Sequence, residues 1–296
     1  VSLTWRIDAY TFDMPVIGAP MDSVMSPETA IAMGRLGGLG VLNLEGLWTR
    51  YEDPQPLFDE LAEMGDDVRT TRRMQEIYSE PIKPELIKAR IGEIRAADVP
   101  VAAALSPKNT ARFADTVVAS GVDFFVIRGT AVSAEHVSDV TEPLNLKEFI
   151  GSLDVPVIAG GVADYTTALH LMRSGAAGII VGQGATTSDA ALGIGTHMAT
   201  QIADAAAARR EYLDETGGRY VHVIADGEIL SSGDVAAAIA CGADAVMLGL
   251  PLAQAEEAGG QGYYWESAAA HPRYPRGSVE PYDLFGKRIP LERVLH

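Results

Sequence analysis

The chain has 296 residues, 47% of them hydrophobic, and its 40 acidic and 23 basic side chains give a net charge of −17. This length and apolar content exclude disorder, because a chain of about 300 residues buries roughly 75% of its unfolded surface. One cysteine excludes a disulfide framework and a cysteine-rich zinc module, and the negative charge disfavours nucleic acid and anionic membranes as partners.

The sequence shown leads us to expect neither a membrane-spanning segment nor a secretory signal. No apolar run approaches the ~18 residues that a membrane-spanning helix needs. Residues 1–10 lack the basic-then-apolar pattern of a secretory signal. We therefore expect a cytoplasmic protein with no membrane partner and no nucleic-acid partner. A small anionic ligand stays open, because backbone amides bind phosphate without basic side chains.

Eight short apolar runs recur along the chain. Each is nearly continuous in apolar character rather than alternating, which is typical of parallel strands covered on both faces. They cover residues 15–20, 39–43, 99–105, 123–127, 155–160, 178–182, 220–225 and 245–249.

Alanine-rich segments with helical spacing lie between these runs, and several end at a glycine. They cover residues 27–36, 110–120, 165–174, 198–216 and 233–241. Strand, helix and glycine in this order are typical of βαβ units. Eight such units in about 250 residues predict an α/β fold, a single-domain (β/α)8 TIM barrel, with an open doubly wound sheet as the alternative.

Two segments depart from this rhythm. Residues 50–98 are charged and helix-prone, and we expect a small helical insertion there within one domain of residues 1–296. Residues 259–296 are rich in glycine and aromatic side chains, and we expect a loop region. Loops beyond the last strand of a barrel often help to form or cover a site.

The residues that follow the strands are the candidates for chemistry, because the site of a TIM barrel lies at the C-terminal strand ends. Glycines cluster after the later strands, where backbone amides can bind an anion; tight turns are the alternative explanation. Asp226 ends a strand, and its carboxylate suits two ribose hydroxyls or, alternatively, a cap or turn. No spacing typical of a metal site occurs, so we expect none.

The only thiol lies in the wrong place for chemistry at those strand ends. Cys241 ends the helix that leads into the last strand, and this helix end faces the opposite end of a barrel. We expect Cys241 to be a small buried hydrophobic residue.

Six motifs occur in one order along nearly the whole chain and together resemble the IMP dehydrogenase/GMP reductase family. The resemblance is closest to the shorter branch of IMP dehydrogenase-related proteins, which lacks the inserted regulatory domain. The motifs are Gly18-Ala-Pro-Met-Asp-Ser-Val24, Ala30-Ile-Ala-Met-Gly-Arg-Leu-Gly-Gly-Leu-Gly-Val41, Val157-Ile-Ala-Gly-Gly161, Val181-Gly-Gln-Gly184, Val223-Ile-Ala-Asp-Gly227 and Gly242-Ala-Asp-Ala-Val-Met-Leu-Gly249.

The resemblance implies a TIM barrel, usually a homo-tetramer, that binds a purine nucleoside monophosphate. In the family a cysteine thiolate after the sixth strand attacks purine C2, and hydride passes to or from a nicotinamide, so NAD is the implied cofactor. It further implies that Asp226 binds the ribose, that Gly227 and Gly249 offer phosphate-binding amides, that Gly182 and Gly184 open the catalytic loop, and that Met21 and Ser23 line the nucleotide pocket.

The chain departs from the family at the catalytic loop. Gly184 is followed by Ala185-Thr-Thr-Ser-Asp189, so the family cysteine is missing. Thr186 and Thr187 lie where the nucleophile loop is expected, but their hydroxyls are poor nucleophiles near neutral pH.

Three further departures affect binding. Glu228 replaces a second glycine, and a carboxylate beside a phosphate repels it unless the side chain turns away. Leu250 replaces a phosphate-binding serine, and Arg128-Gly-Thr130 replaces the acidic motif on the nicotinamide side.

Three functions therefore stay open. The first is an NAD-linked oxidoreductase acting at C2 of a purine nucleotide, and the second is a non-catalytic nucleotide-binding or regulatory paralogue. The third is an FMN-binding oxidoreductase barrel, because Gly18-Ala-Pro-Met21 and Ile158-Ala-Gly-Gly161 also resemble flavin-binding barrels. Fold alone does not separate them.

Overall fold

A computed structural model describes residues 2–129, 144–182, 195–227, 229–273, 275, 277–282 and 287–296. Thr130, Gly184, Thr186, Thr187 and Glu228 lie outside the described residues. Within the described ranges, no helix is both long and apolar enough to cross a membrane.

Eight parallel strands close into a barrel, which confirms the predicted (β/α)8 fold and excludes the open doubly wound sheet. A short antiparallel pair, β1 (Trp5–Ile7) and β2 (Tyr10–Phe12), precedes them and was not predicted. The barrel strands are β3 (Val16–Gly18), β4 (Leu39–Asn43), β5 (Ala102–Leu105), β6 (Phe124–Arg128), β7 (Val157–Val162), β8 (Gly178–Gly182), β9 (His222–Asp226) and β10 (Ala245–Leu248). Around the barrel the order is β10, β3, β4, β5, β6, β7, β8, β9.

The described helices include all five that the sequence predicts. The helix predicted over residues 198–216 has those bounds, whereas the one predicted from Thr110 begins three residues earlier, with Pro107 at its first position. The helices are α1 (Pro27–Arg35), α2 (Gln55–Met64), α3 (Thr70–Ile77), α4 (Pro84–Ala96), α5 (Pro107–Ala119), α6 (Leu146–Gly151), α7 (Tyr165–Arg173), α8 (Met198–Thr216), α9 (Ser232–Cys241) and α10 (Leu291–Leu295).

Polar side chains fix where helices begin. The Oγ of Ser26 accepts a hydrogen bond from the amide of Thr29 at 2.9 Å, at the start of α1. At the start of α9, Ser231 and Asp234 form a capping box in which each side chain accepts from the other's backbone amide. Such caps satisfy amides that the helix itself leaves unpaired.

The chain divides into two compact units. The first consists of residues 1–17, 105–114 and 123–247, and the second of residues 18–104, 115–122 and 248–296. In the first unit, β7 and β8 are buried along their whole lengths, as their continuous apolar sequence predicts.

The second unit holds an aromatic cluster. The ring of Phe58 lies 5.3 Å from that of Trp48 and 5.8 Å from that of Trp265, measured between ring centroids. Both Phe58 and Trp265 are fully buried, and residues of α2 and α3 pack around them. These rings pack α2 and α3 against the segment that contains Trp265.

The two irregular segments contain regular structure. Helices α2, α3 and α4 lie between β4 and β5, and β11 (Tyr263–Tyr264) pairs with β12 (Glu280–Pro281) after the last barrel strand. The prediction of one domain over residues 1–296, with an insertion near 50–98 and a loop region at 259–296, stays a prediction.

Candidate functional site

In the first unit, a buried ion pair lies at the C-terminal strand ends. Asp226 ends β9, and its Oδ2 accepts hydrogen bonds from Nε of Arg128 at 3.0 Å and from Nη2 at 2.8 Å. The Asp226 side chain is 5% exposed and that of Arg128, which ends β6, is 14% exposed. A buried carboxylate without a partner is strongly destabilising, so removal of Arg128 alone should destabilise the fold.

The strands between β6 and β9 have glycines beside Arg128 and Asp226, which leaves space for the arginine side chain to reach across them. In the strand register, Arg128 lies beside Gly160 of β7, and Gly182 of β8 lies beside Asp226. Neither glycine places a side chain between the guanidinium and the carboxylate. The two charged groups therefore meet across β7 and β8, where these glycines leave space.

Packing within the chain explains two of the predicted site glycines. Gly182 has φ +86°, and a Cβ added there would collide with the backbone oxygen of Asp226. A Cβ on Gly227 would lie 2.6 Å from Cγ of Met198, the first residue of α8. The phosphate-binding role of Gly227 and the loop role of Gly182 stay predictions.

Sequence reasoning named Arg128 only as a departure from the family motif and missed its contact with Asp226. A signal was present, because an arginine at the end of a buried strand needs an anionic partner. Asp226 is the acidic residue at the same position of another barrel strand.

In the second unit, Asp22 is the centre of a buried hydrogen-bond network. Its Oδ1 accepts from Nδ2 of Asn43 at 2.9 Å, and its Oδ2 accepts from the amide of Leu47 at 2.8 Å and the hydroxyl of Tyr78 at 2.6 Å. The Tyr78 hydroxyl in turn accepts from Nε1 of Trp265 at 2.9 Å. Asp22 is 2% exposed, so its charge depends on these donors rather than on water.

Burial dominates the electrostatics of this network. It raises the pKa of the Asp22 carboxyl above its ordinary value of 3.8, although the three donors and the charge of Arg50 act in the opposite direction. Burial and the adjacent Asp22 carboxylate raise the pKa of Tyr78 well above its ordinary value. The Tyr78 hydroxyl is therefore a stable donor over the whole physiological pH range.

The predicted pocket residues on either side of Asp22 are also buried. Ser23 is 0% exposed, and its Oγ accepts from the backbone amide of Trp265 at 3.3 Å. Met21 is 5% exposed, and a Cβ on Gly249 would lie 2.6 Å from its Sδ. Leu250 begins a short 3-10 helix and is half-buried. The roles of Met21, Ser23 and Gly249 toward a nucleotide stay predictions.

The cysteine lies where the sequence predicts, although it is only partly buried. Cys241 is the last residue of α9, four positions before β10 begins, which places it at the N-terminal ends of the strands. Asp226 ends a strand of the same unit at the opposite edge. Thr186 and Thr187, named for the nucleophile loop, lie outside the described residues.

The closed barrel with charged and glycine residues at its C-terminal strand ends defines an α/β barrel protein of the TIM class. The pattern described as the IMP dehydrogenase / GMP reductase domain matches residues 2–283, and the chain belongs to this family. The family resemblance seen in the motifs is confirmed.

Individual proteins extend the comparison. An uncharacterized oxidoreductase of Mycolicibacterium smegmatis is 56% identical over 303 aligned positions, which cover 100% of this chain and 80% of that protein. An inosine-5'-monophosphate dehydrogenase of Pasteurella multocida is 36% identical over 182 positions, 60% of this chain and 34% of that protein. The crystal structure of an IMP dehydrogenase/GMP reductase-like protein from Corynebacterium glutamicum matches with a TM-score of 0.94 and 56% identity, over 100% of this chain and 78% of that one.

Removing the Tyr78 hydroxyl should destabilise the second unit. Tyr78→Phe removes a donor to Asp22 and leaves the buried indole N–H of Trp265 without its acceptor, so we expect a loss of about 1–3 kcal/mol in the free energy of unfolding. Urea unfolding followed by circular dichroism measures it. The control is Tyr282→Phe, whose hydroxyl bonds to no described residue, with a change expected within about 0.5 kcal/mol. Equal effects of the two variants would contradict the network.

The raised pKa of Asp22 predicts a pH-dependent stability. The contribution of a carboxyl whose pKa rises on folding is fully present below its unfolded value of 3.8 and is lost as the pH rises through the folded pKa. The unfolding free energy of the wild type minus that of Asp22→Asn should therefore fall with rising pH and then level off. Urea titrations at a series of pH values measure the difference.

Asp234 supplies a control of opposite sign. Hydrogen bonds from Ser231 and Leu230 lower its pKa, so its contribution is present above pH 3.8 and is lost as the pH falls. The wild type minus Asp234→Asn difference should rise with pH. A difference for Asp22→Asn that also rises would show that burial does not dominate at Asp22.

Proposed function

We propose that this protein is an oxidoreductase of the IMP dehydrogenase/GMP reductase family that binds a purine nucleoside monophosphate. In this proposal Asp226 accepts the ribose hydroxyls, and backbone amides at Gly227 and Gly249 contribute to phosphate binding. Met21 and Ser23 shape the nucleotide pocket, and Gly182 and Gly184 open the loop beside it. NAD is the proposed redox partner.

The buried carboxylate of Asp226 carries the proposal. Asp226 as a whole residue is 4% exposed, and it lies at the C-terminal end of β9, where TIM barrels hold their ligands. An ionised carboxylate accepts several hydrogen bonds, which suits two neighbouring hydroxyls of a sugar. The family match over residues 2–283 supports a purine nucleotide as the bearer of that sugar.

A cysteine adduct is not part of this proposal. The chain has one thiol, and Cys241 lies at the N-terminal edge of the strands, away from Asp226. Thr186 and Thr187 stay candidates for the catalytic loop, but a hydroxyl near neutral pH lacks thiolate reactivity. Any turnover therefore uses a route to purine C2 that needs no thiolate of this chain.

The residues do not fit the family's nicotinamide side at one position. The family has an acidic motif after the fourth barrel strand. In this chain the fourth barrel strand is β6, and it ends at Arg128, whose guanidinium donates to Asp226. A carboxylate is thus replaced by a cation that already has a partner. NAD enters the proposal from the family alone, and we derive no step through it.

A second candidate is a nucleotide-binding paralogue without turnover. The position of Cys241 favours it, because the only thiol of the chain lies away from Asp226. This candidate keeps the ribose and phosphate contacts and differs only in the absence of redox chemistry. A homo-oligomeric state, a tetramer by family, and a cytoplasmic location complete the proposal.

One set of assays separates the candidates. Calorimetric titration with IMP and with GMP should give saturable binding, and IMP with NAD should produce NADH above a heat-inactivated control. Binding without NADH, and without NADPH oxidation when GMP is supplied, would select the non-catalytic paralogue. Absence of binding to both nucleotides would overturn the proposal, and a yellow, flavin-loaded protein would select the FMN alternative.

The position of Cys241 predicts that its thiol is dispensable. Cys241→Ala should leave the affinity for IMP and any NADH formation within about twofold of the wild type, since the side chain ends a helix at the opposite strand ends. Titration and NADH absorbance measure both quantities. A loss of turnover with unchanged binding would place the thiol in the reaction and contradict the geometry.

A further inference from the structure

The ion pair at the end of β9 has a role that the family assignment does not supply. The family motif after the fourth barrel strand is acidic, whereas this chain has Arg128 there, in contact with Asp226. The inference below rests on the proposed function, because it concerns how Asp226 binds a ribose.

The geometry leaves Asp226 able to bind a ligand while it is paired. Nε and Nη2 of Arg128 each donate a hydrogen bond to Oδ2 of Asp226, at 3.0 and 2.8 Å. A carboxylate offers about four lone-pair sites, and the arginine uses two of them. The remaining capacity matches the number of hydroxyls in a ribose diol. The pair is therefore compatible with diol binding and does not have to break for it.

The same contacts fix the direction of the carboxylate. Two donors held in one plane by the guanidinium, both directed at Oδ2, restrict rotation of the Asp226 carboxylate more than the freely rotating ammonium of a lysine would. The main chain at Asp226 is also confined, because Gly182 of β8 packs directly against its backbone oxygen. Side chain and backbone are thus both held, in surroundings with little access for water.

We propose that Arg128 is a positioning residue that orients the Asp226 carboxylate toward the ribose hydroxyls. It thereby makes the protein select purine ribonucleotides over their 2'-deoxy counterparts. Arg128 acts through Asp226, and it is Asp226 that contacts the 2',3'-diol of the ligand. The phosphate and the base of the nucleotide are bound by other groups.

The test is the ratio of the dissociation constants for 2'-deoxy-IMP and IMP, measured by calorimetry. In the wild type we expect a ratio of roughly 10 to 100, the fold-change in affinity that the loss of one hydrogen bond to a charged group causes. In Arg128→Gln the ratio should fall about tenfold, since an unfixed carboxylate discriminates poorly. Asp226→Asn should lower the ratio in the same way, and Arg128→Lys should give an intermediate value because it keeps the charge without the planar fork.

A matched pair in the same unit supplies the control. Arg209 and Asp244 form an ion pair of similar burial at the other ends of the strands, with Nη1 of Arg209 2.5 Å from Oδ2 of Asp244. Arg209→Gln removes a buried arginine from a carboxylate in the same way, and it should leave the ratio at the wild-type value. A general loss of stability affects both ligands alike and cannot change the ratio.

The outcomes are distinguishable. In one outcome the wild type binds IMP more tightly than 2'-deoxy-IMP while both Arg128→Gln and Arg128→Lys keep the wild-type ratio. That result overturns the role of Arg128 and leaves the proposed function intact. A loss of IMP affinity relative to inosine, with the ribose ratio unchanged, would assign Arg128 to the phosphate and also overturn it. A wild type that binds no purine nucleotide overturns both proposals. If Arg128→Gln does not fold, the lysine variant decides.

Discussion

Burial of carboxylates at the C-terminal strand ends is the constraint on which the candidate site depends. A carboxylate taken out of water costs several kcal/mol unless donors replace the lost hydration. Asp226 obtains its donors from an arginine on β6, with two strands between them in the barrel. Asp22 obtains its donors from an amide side chain, a backbone N–H and a tyrosine. In both units a buried acid is satisfied by donors from segments that are distant in the sequence.

Most of the barrel was predictable from the sequence, because a buried parallel strand has a local signature. All eight apolar runs became strands, and the helix at residues 198–216 has the predicted bounds. The apolar run of a buried strand and the spacing of a helix both depend only on neighbouring residues within one element. The β1–β2 pair was missed because three-residue strands are too short to show a period. The residues at 50–98 were predicted to be helical, and α2, α3 and α4 lie there.

The candidate site was predictable only in part. Strand-end position and the family motifs pointed to Asp226 and the glycines, whereas its contact with Arg128 joins residues 98 apart in the sequence. Asp22 lies in the first family motif, but nothing in that motif indicates its hydrogen bond with Tyr78. Such contacts depend on barrel closure and side-chain direction, which no periodicity encodes. Gly182 and Gly227 show the converse, because chain packing explains glycines whose motifs suggested a ligand.

The Asp22 network also bears on the order of folding. The bond from Tyr78 to Asp22 spans 56 residues, and the bond from Trp265 to Tyr78 spans 187. Closing such long loops costs chain entropy before the bonds compensate for it, so contacts of this kind form after local helices such as α8. We therefore expect the bonds that join Tyr78 to Asp22 and Trp265 to Tyr78 to form late in folding.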